Sequence, residues 1–196
     1  INIINIYTVI YIFMSQGYLE LIIGPMYAGK STELLRKINM YEFLDKKIIV
    51  INHVINNRYG SSSLSTHNKE YYNKCINLEK LEEFEKYNVF NEIEIIIIEE
   101  LQFFSDAFEI VKKWVDVNGK KVIAAGLDGD FERKPFGDVL KLIPYAEKVV
   151  KLNALCKRCN DGTLASFTKR IVDKKCITLV GSNEIYEAVC RKHYLC

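Results

Sequence analysis

Leu19-Glu20-Leu21-Ile22-Ile23-Gly24-Pro25-Met26-Tyr27-Ala28-Gly29-Lys30-Ser31-Thr32-Glu33-Leu34-Leu35 is the stretch on which the reading of this chain turns. Its centre, residues 24–31, fits the pattern G-x-x-x-x-G-K-[ST], a loop whose backbone N–H groups cradle phosphate oxygens. The flanks agree with it. Residues 19–23 form a short apolar, β-branched run, and residues 32–38 open a helical pattern. A strand, a glycine turn and a helix start together present a row of N–H donors to an anion. Lys30 is placed to reach the β and γ phosphates, and the Ser31 hydroxyl to hold Mg²⁺. A nucleoside triphosphate site is therefore expected.

Working outward, residues 47–51 (KIIVI) and 93–98 (IEIIII) are continuous apolar runs, the kind buried on both faces of a parallel sheet. Residues 121–125 and 148–152 supply further strands. Helical patterns lie between them. The first reaches Leu44 with a stripe of Leu34, Leu35, Ile38 and Tyr41 or Phe43; a short charged helix covers 78–87. Ser105 can cap a third running to Val117, stopped near Asn118-Gly119, and a turn or two covers 138–143. Residues 52–72 read as a long polar loop, a length that is commonly functional. Strands alternating with helices predict an open, mostly parallel α/β sheet of the P-loop, RecA-like kind. From Cys156 onward the pattern changes to cysteine pairs and short strands. The expected organisation is an N-terminal extension (1–17), a P-loop α/β domain (18–152) and a small zinc-binding domain (153–196).

The 196 residues are 49% hydrophobic, enough for a sizeable core, and carry 27 basic against 25 acidic side chains for a net charge of +2. So near a balance argues against a broad nucleic-acid surface and for a small-molecule partner. The first thirteen residues, rich in Ile, Asn and Tyr, are too few to span a bilayer, and no basic region precedes them as in a secretory signal. Met14 is the expected start, and neither a membrane partner nor export is expected. A reducing, cytoplasmic compartment makes the six cysteines thiols or metal ligands rather than disulfides.

Two constellations carry chemistry. The strand at 93–98 runs into Glu99-Glu100-Leu101-Gln102-Phe103-Phe104, and ligand crevices of open α/β sheets lie at the carboxyl ends of strands. One carboxylate can sit in a Mg²⁺ shell while the other accepts the proton of an attacking hydroxyl; the plain alternative is a solvated acidic pair closing a strand. Cys156-Lys157-Arg158-Cys159 and Cys190-Arg191-Lys192-His193 form two knuckles separated by thirty residues. Together they can close a tetrahedral Zn²⁺ site with no open position, which makes it structural rather than catalytic; a redox pair is the alternative for the first. Cys75, Cys176 and Cys196 read as inert thiols, and His53 and His67 as packing residues. Phe103, Phe104, Phe131 and Phe136 read mainly as core, although the first pair and Phe131 flank strand ends where a flat base would need aromatic walls.

Together these segments resemble the type II thymidine kinases, the compact cellular, bacterial and poxviral class. The resemblance covers about residues 18 to 195. It runs from the Ile22 to Leu34 segment through Glu99-Glu100-Leu101-Gln102-Phe103-Phe104 and Leu127-Asp128-Gly129-Asp130-Phe131-Glu132-Arg133-Lys134-Pro135-Phe136-Gly137. Phe167-Thr168-Lys169-Arg170, Tyr186 and the two knuckles complete it. It implies transfer of the ATP γ-phosphoryl group to the 5′-hydroxyl of thymidine, giving thymidine monophosphate. Glu100 would then be the general base. The ATP site would comprise Gly24, Pro25, Met26, Tyr27, Ala28, Gly29, Lys30, Ser31 and Thr32, with Glu99, Gln102 and Arg58. Ser31 and Glu99 would hold Mg²⁺, the latter through water, and Cys156, Cys159, Cys190 and His193 would hold Zn²⁺.

The resemblance further implies that Met26, Phe103, Leu127, Phe131, Phe136, Thr168 and Tyr186 wall the thymine and deoxyribose. A lasso at about residues 173–188 would read the base edge through main-chain groups of Leu179, Val180, Gly181 and Ser182. Reading by backbone groups rejects cytosine, whose amine reverses one donor–acceptor relation. A homotetramer inhibited by thymidine triphosphate is also implied. The sequence departs from the family pattern at Glu99, usually Asp, at Leu101, usually Gly, and at Asn56, often Asp. Competing expectations are a deoxynucleoside kinase of broader specificity, a P-loop ATPase whose zinc ribbon binds nucleic acid, and a nucleotide-sensing module.

Overall fold

Isoleucine runs set the centre of the molecule. The computed structural model describes residues 16–56, 64–65, 71–72, 74–172 and 185–196. In chain order its elements begin with β1 (Tyr18–Ile23), α1 (Lys30–Phe43), β2 (Ile48–His53), the two-residue strands β3 (Leu64–Ser65) and β4 (Tyr71–Tyr72), and β5 (Cys75–Leu78). There follow β6 (Ile95–Ile98), α2 (Ala107–Asp116), β7 (Lys121–Gly126) and β8 (Lys148–Lys151). The remainder is β9 (Ala154–Leu155), β10 (Leu164–Ala165), β11 (Phe167–Arg170), β12 (Tyr186–Val189) and the short α3 (Arg191–Leu195).

Six strands form the central sheet in the order β5-β2-β6-β7-β1-β8, and every pairing is parallel. Side chains alternate across a strand, so each inner strand feeds two cores. Ile22, Ile95, Ile97, Ile123 and Ala125 meet the Leu34, Leu35, Ile38 and Tyr41 stripe of α1. Leu21, Ile23, Ile96, Ile98, Val122 and Ala124 turn the other way, onto Ala107, Val111, Trp114 and Val115 of α2. The same alternation sends Glu20 to the α1 side, where its carboxylate pairs with Lys37 at 2.7 Å; both residues are buried.

Three local expectations are corrected by long-range contacts. First, strand β2 does not stop at Ile51. It continues through Asn52 and His53 because β5 pairs along its outer side, from Val50↔Cys75 to His53↔Leu78. Second, the expected 78–87 helix is the end of β5 followed by a 3-10 turn at Leu81–Lys86. Third, α2 begins at Ala107 behind Asp106 rather than Ser105. The Asp106 carboxylate accepts N–H bonds from Leu81 and Glu82 of that neighbouring turn, at 3.1 and 2.9 Å. The polar stretch thus begins after His53, and within it β3 and β4 pair antiparallel.

The central sheet ends at Lys151. Beyond it the described strands pair only among themselves, β9 with β10 and β11 with β12, around a small cluster that includes Ala154, Cys156, Ala165, Ala188 and Val189. Tyr27 and Ala28, from the glycine-rich turn after β1, pack against this cluster. No described helix is long and apolar enough to cross a membrane.

Candidate active site and metal centre

β6, β7 and β1 are neighbours and run the same way, so their carboxyl ends open on one edge. From that edge leave the glycine-rich turn after Ile23, the acid pair after Ile98 and the segment after Gly126. Gly24 has φ 146°, and a Cβ there would stand 2.4 Å from the Leu152 carbonyl oxygen, so only glycine fits. Gly29, at φ 83°, is the residue before α1, and its carbonyl accepts the Glu33 N–H at 3.0 Å. The helix start behind it is an anion-binding geometry. Lys30 folds back across the turn, its Nζ donating to the carbonyls of Gly24 (3.2 Å) and Pro25 (2.7 Å). Thr32 is exposed in the first turn of α1.

Alternation along β6 decides where the two acids go. Glu99 continues the odd-numbered set of Ile95 and Ile97 toward α1, and its Oε1 accepts the Ser31 hydroxyl at 2.6 Å. Glu99 is buried. At Glu100 the pattern breaks, because this residue adopts a left-handed conformation (φ 55°, ψ 44°) before the 3-10 turn Leu101–Phe103. Such strain in a non-glycine residue persists only where surrounding contacts impose it.

Those contacts come from Gln102, which is 4% exposed. Its Nε2 donates to Glu100 Oε2 at 2.5 Å, and its Oε1 accepts the Leu127 N–H at 3.0 Å. Gln102 therefore links the acid after β6 to the first residue beyond β7. Leu101, the bulky departure, is fully buried in the α2-side core, so its side chain does not crowd the acids from the open side. Phe103 is half-buried and meets Phe136 edge-on at 5.7 Å, with His53 tilted against it at 5.8 Å. Phe104 is core, 1% exposed, and packs on His53. Burial holds the His53 pKa below its ordinary value, in keeping with a packing role.

The C-terminal strands close on this edge. Thr168 Oγ1 accepts the Met26 N–H at 3.0 Å, and the Tyr27 hydroxyl donates to the Tyr186 carbonyl at 3.3 Å. Arg170 lies over the Phe131 ring at 3.8 Å and donates to the Tyr186 hydroxyl at 2.7 Å. Thus Met26 meets Thr168 directly, while Arg170 links Phe131 to Tyr186 and Tyr27 links Tyr186 to the glycine-rich turn. Arg58, Leu179, Val180, Gly181 and Ser182 lie outside the described residues; β11 and β12, on either side of 173–184, pair from Phe167↔Val189 to Arg170↔Tyr186. Sequence reasoning missed the bridging geometry of Gln102 and the roles of Arg170 and Tyr194. Arg170 had a signal in its place at the end of the Phe167-Thr168-Lys169-Arg170 segment, whereas for Tyr194 the signal was its place beside the ligand candidate His193.

The four knuckle residues converge. One ligand atom from each of Cys156, Cys159, Cys190 and His193 lies within 4.8 Å of the others. His193 Nδ1 is 3.5, 3.3 and 3.6 Å from the sulfurs of Cys156, Cys159 and Cys190, and the Cys159 and Cys190 sulfurs are 3.7 Å apart. Zinc–sulfur bonds of about 2.3 Å give a tetrahedron with edges of about 3.8 Å, so the set is compatible with zinc. Burial works against a Cys156 thiolate, but N–H groups of Cys190 and Cys159 outweigh it and bring its pKa down to about 6. Burial, and then the Cys156 sulfur, push Cys159 up to about 11.

An α/β sheet with an acid pair and a glycine-rich turn on one edge, clasped by a cysteine–histidine module, defines a phosphotransferase-like class. The thymidine kinase family profile matches residues 17–194. The thymidine kinase of Vaccinia virus (strain Western Reserve) is 43% identical over 185 residues, 93% of this chain and 99% of the relative. Those of Variola virus and Monkeypox virus are 42% identical over 185 and 41% over 182 residues, with the same coverage. The chain belongs to the thymidine kinase family, and so is a kinase.

Proposed function

We propose that this chain transfers the γ-phosphoryl group of ATP to the 5′-hydroxyl of thymidine. The observation that carries this reading is the shared edge of β1, β6 and β7, from which a glycine-rich turn, an acid pair and an aromatic segment leave side by side. Residues 24–32 form the phosphate loop. On nucleotide binding, phosphate oxygens take the place of the Gly24 and Pro25 carbonyls as partners of Lys30. Ser31 and Glu99, a hydroxyl and a carboxylate 2.6 Å apart, offer the hard oxygens that suit Mg²⁺, which supplies charge neutralisation at the phosphates.

Glu100 accepts the 5′-hydroxyl proton, and Gln102 holds that carboxylate in line. A hydroxyl is a weak nucleophile, and phosphoryl transfer depends chiefly on positioning and charge neutralisation, so a pinned base is what the reaction requires. Phe103 and Phe136 form one aromatic side of the nucleoside pocket, with Leu127, Phe131, Met26, Thr168 and Tyr186 completing it. By the same reading residues 179–182 would recognise the base edge and Arg58 would serve the phosphates; these residues lie outside the described ones. Zinc, held by the four knuckle ligands, cross-links a module too small to fold on its own core. The chain divides into the kinase domain to about residue 152 and this module. A cytoplasmic homotetramer with feedback by thymidine triphosphate completes the reading.

The test is direct. The protein is incubated with Mg·ATP and each nucleoside, and monophosphate formation is followed. Thymidine is expected as the best acceptor. Nucleic-acid-stimulated ATP hydrolysis without nucleoside phosphorylation would overturn the reading.

A further inference from the structure

The segment between Leu127 and Gly137 keeps its own shape. The Asp130 carboxylate accepts the N–H groups of Glu132 (2.8 Å) and Lys134 (2.9 Å), the Asp130 N–H donates to the Lys134 carbonyl, and Gly129 bridges Pro135. Internal bonds of this kind set the shape of a loop but not its place. Besides Arg170 over the Phe131 ring and Phe103 against Phe136, the carboxyl half is contacted from a distant part of the chain, the helix α3. The Tyr194 hydroxyl donates to the Phe131 carbonyl at 2.7 Å, across 63 residues of sequence. The Arg133 guanidinium lies 4.4 Å from the centre of the Tyr194 ring and 5.6 Å from that of Phe167. Arg133 itself adopts φ 64°, a left-handed turn that aims its side chain back at this pair.

Tyr194 is in turn fixed. Its neighbour His193 contributes Nδ1 to the metal centre, α3 starts directly after Cys190, and Lys169 Nζ donates to the His193 carbonyl at 2.9 Å. Its ring also packs on Phe167 with centroids 5.5 Å apart. A phenol held at both ring and helix presents its hydroxyl in one direction only, toward the Phe131 main chain.

We infer that Tyr194 is a positioning residue for the nucleoside pocket: it fastens the Phe131 main chain to the helix that bears His193 and starts directly after Cys190, and so sets the pocket wall against the sheet edge. This rests on the reading of Phe131 as a wall of the thymidine site. Tyr194 touches no reacting atom. Its contribution is to hold the wall in its binding geometry before substrate arrives, so its loss raises the thymidine concentration needed without slowing the bound complex.

The test uses the zinc-loaded full chain and its Tyr194→Phe variant, with Arg133→Lys as the second variant because an ammonium lacks the planar face that stacks on a ring. Thymidine KM is expected to rise about fivefold in Tyr194→Phe, the scale of one lost neutral hydrogen bond. The kcat, the ATP KM and the zinc content are expected to stay as in the parent. Hydrogen exchange is expected to quicken across residues 128–137 and not across β1 or β7; Arg133→Lys shifts both readouts the same way by less. A merely structural role would move kcat, ATP KM and melting temperature together, and that result overturns the inference. Unchanged thymidine KM and unchanged exchange at 128–137, with zinc retained, overturn it as well. If the parent chain phosphorylates no nucleoside, the functional reading fails, while the exchange measurement still decides whether Tyr194 fastens the segment.

Discussion

The Ser31 hydroxyl donates to Glu99 Oε1 at 2.6 Å, joining the first turn of α1 to the end of β6. Glu99 reaches Ser31 because it stays in phase with Ile95 and Ile97, which face α1 from the same strand. Its extra methylene relative to aspartate is taken up in that reach. If these two oxygens hold Mg²⁺, Glu99→Gln keeps a hydrogen-bond acceptor for Ser31 but removes the charge. The Mg²⁺ needed for half-maximal rate should rise about 10- to 100-fold, the usual loss for altering a group in the metal's surroundings. A magnesium titration of the initial rate checks this, and an unmoved midpoint would take Glu99 out of the metal shell.

Glu100→Gln tests the base. Turnover should fall by about 10²-fold or more, the worth of a positioned general base. ATP binding, read by calorimetry, should persist because the phosphate loop is untouched. Full turnover in this variant would assign the proton to another acceptor.

Gln102 ties Glu100 to the Leu127 N–H. Gln102→Leu fills similar space while deleting both bonds, leaving the half-buried Leu127 N–H without this partner and the carboxylate free to swing. Stability should drop by about 1–3 kcal/mol, seen in urea unfolding, and kcat should fall more than the ATP KM rises. A stability loss with unaltered kcat would mean that the link is structural only.

The buried Glu20–Lys37 pair gives a pH signature. Burial by itself would raise the Glu20 carboxyl, but hydrogen bonds from Lys37 and Lys148 outweigh it and hold it below the ordinary carboxylate range. A depressed folded pKa contributes stability that is present above the unfolded value and lost as pH falls through the folded one. Glu20→Gln should cost about 3–5 kcal/mol near neutral pH, the range for breaking one side of a buried pair. The gap between parent and variant should narrow once the pH drops below about 4. Urea unfolding at pH 7, 5, 4 and 3 measures it, and a gap that stayed constant to the lowest pH would exclude the linkage.

Cys156→Ser should release zinc, read by elemental analysis of the purified protein. Thymidine phosphorylation should fall with it, because Thr168 and Tyr186 reach the glycine-rich turn from strands packed around the same cluster. Zinc retained at the parent level would show that the ligand set is wrong.

Much of this molecule is legible in one dimension. The pattern at 24–31, the isoleucine runs and the paired knuckles each carry their meaning locally, through backbone donors, uninterrupted apolar faces and ligand spacing. They led to an α/β sheet with a C-terminal cysteine–histidine centre, and that is the architecture found. Where the reading slipped, a distant partner intervened. β2 extends to His53 because β5 lies beside it, and Asp106 rather than Ser105 precedes α2 while its carboxylate serves the turn at Leu81. No local pattern holds information about a strand or turn that arrives from elsewhere in the chain.

The candidate site divides in the same way. Sequence alone determined which groups exist and which chemistry they permit: a glycine-rich turn with Lys30 and Ser31, two acids after a buried strand, and three cysteines and a histidine at knuckle spacing. Only the tertiary structure decided that Glu99 turns toward Ser31 while Glu100 is held by Gln102, and that Tyr194 and Arg170 grip Phe131. The reason is physical. Residue type and short-range spacing fix donors, acceptors and backbone propensity, whereas the direction of a side chain at a strand end depends on the phase of the pleat and on neighbours brought in by the sheet order.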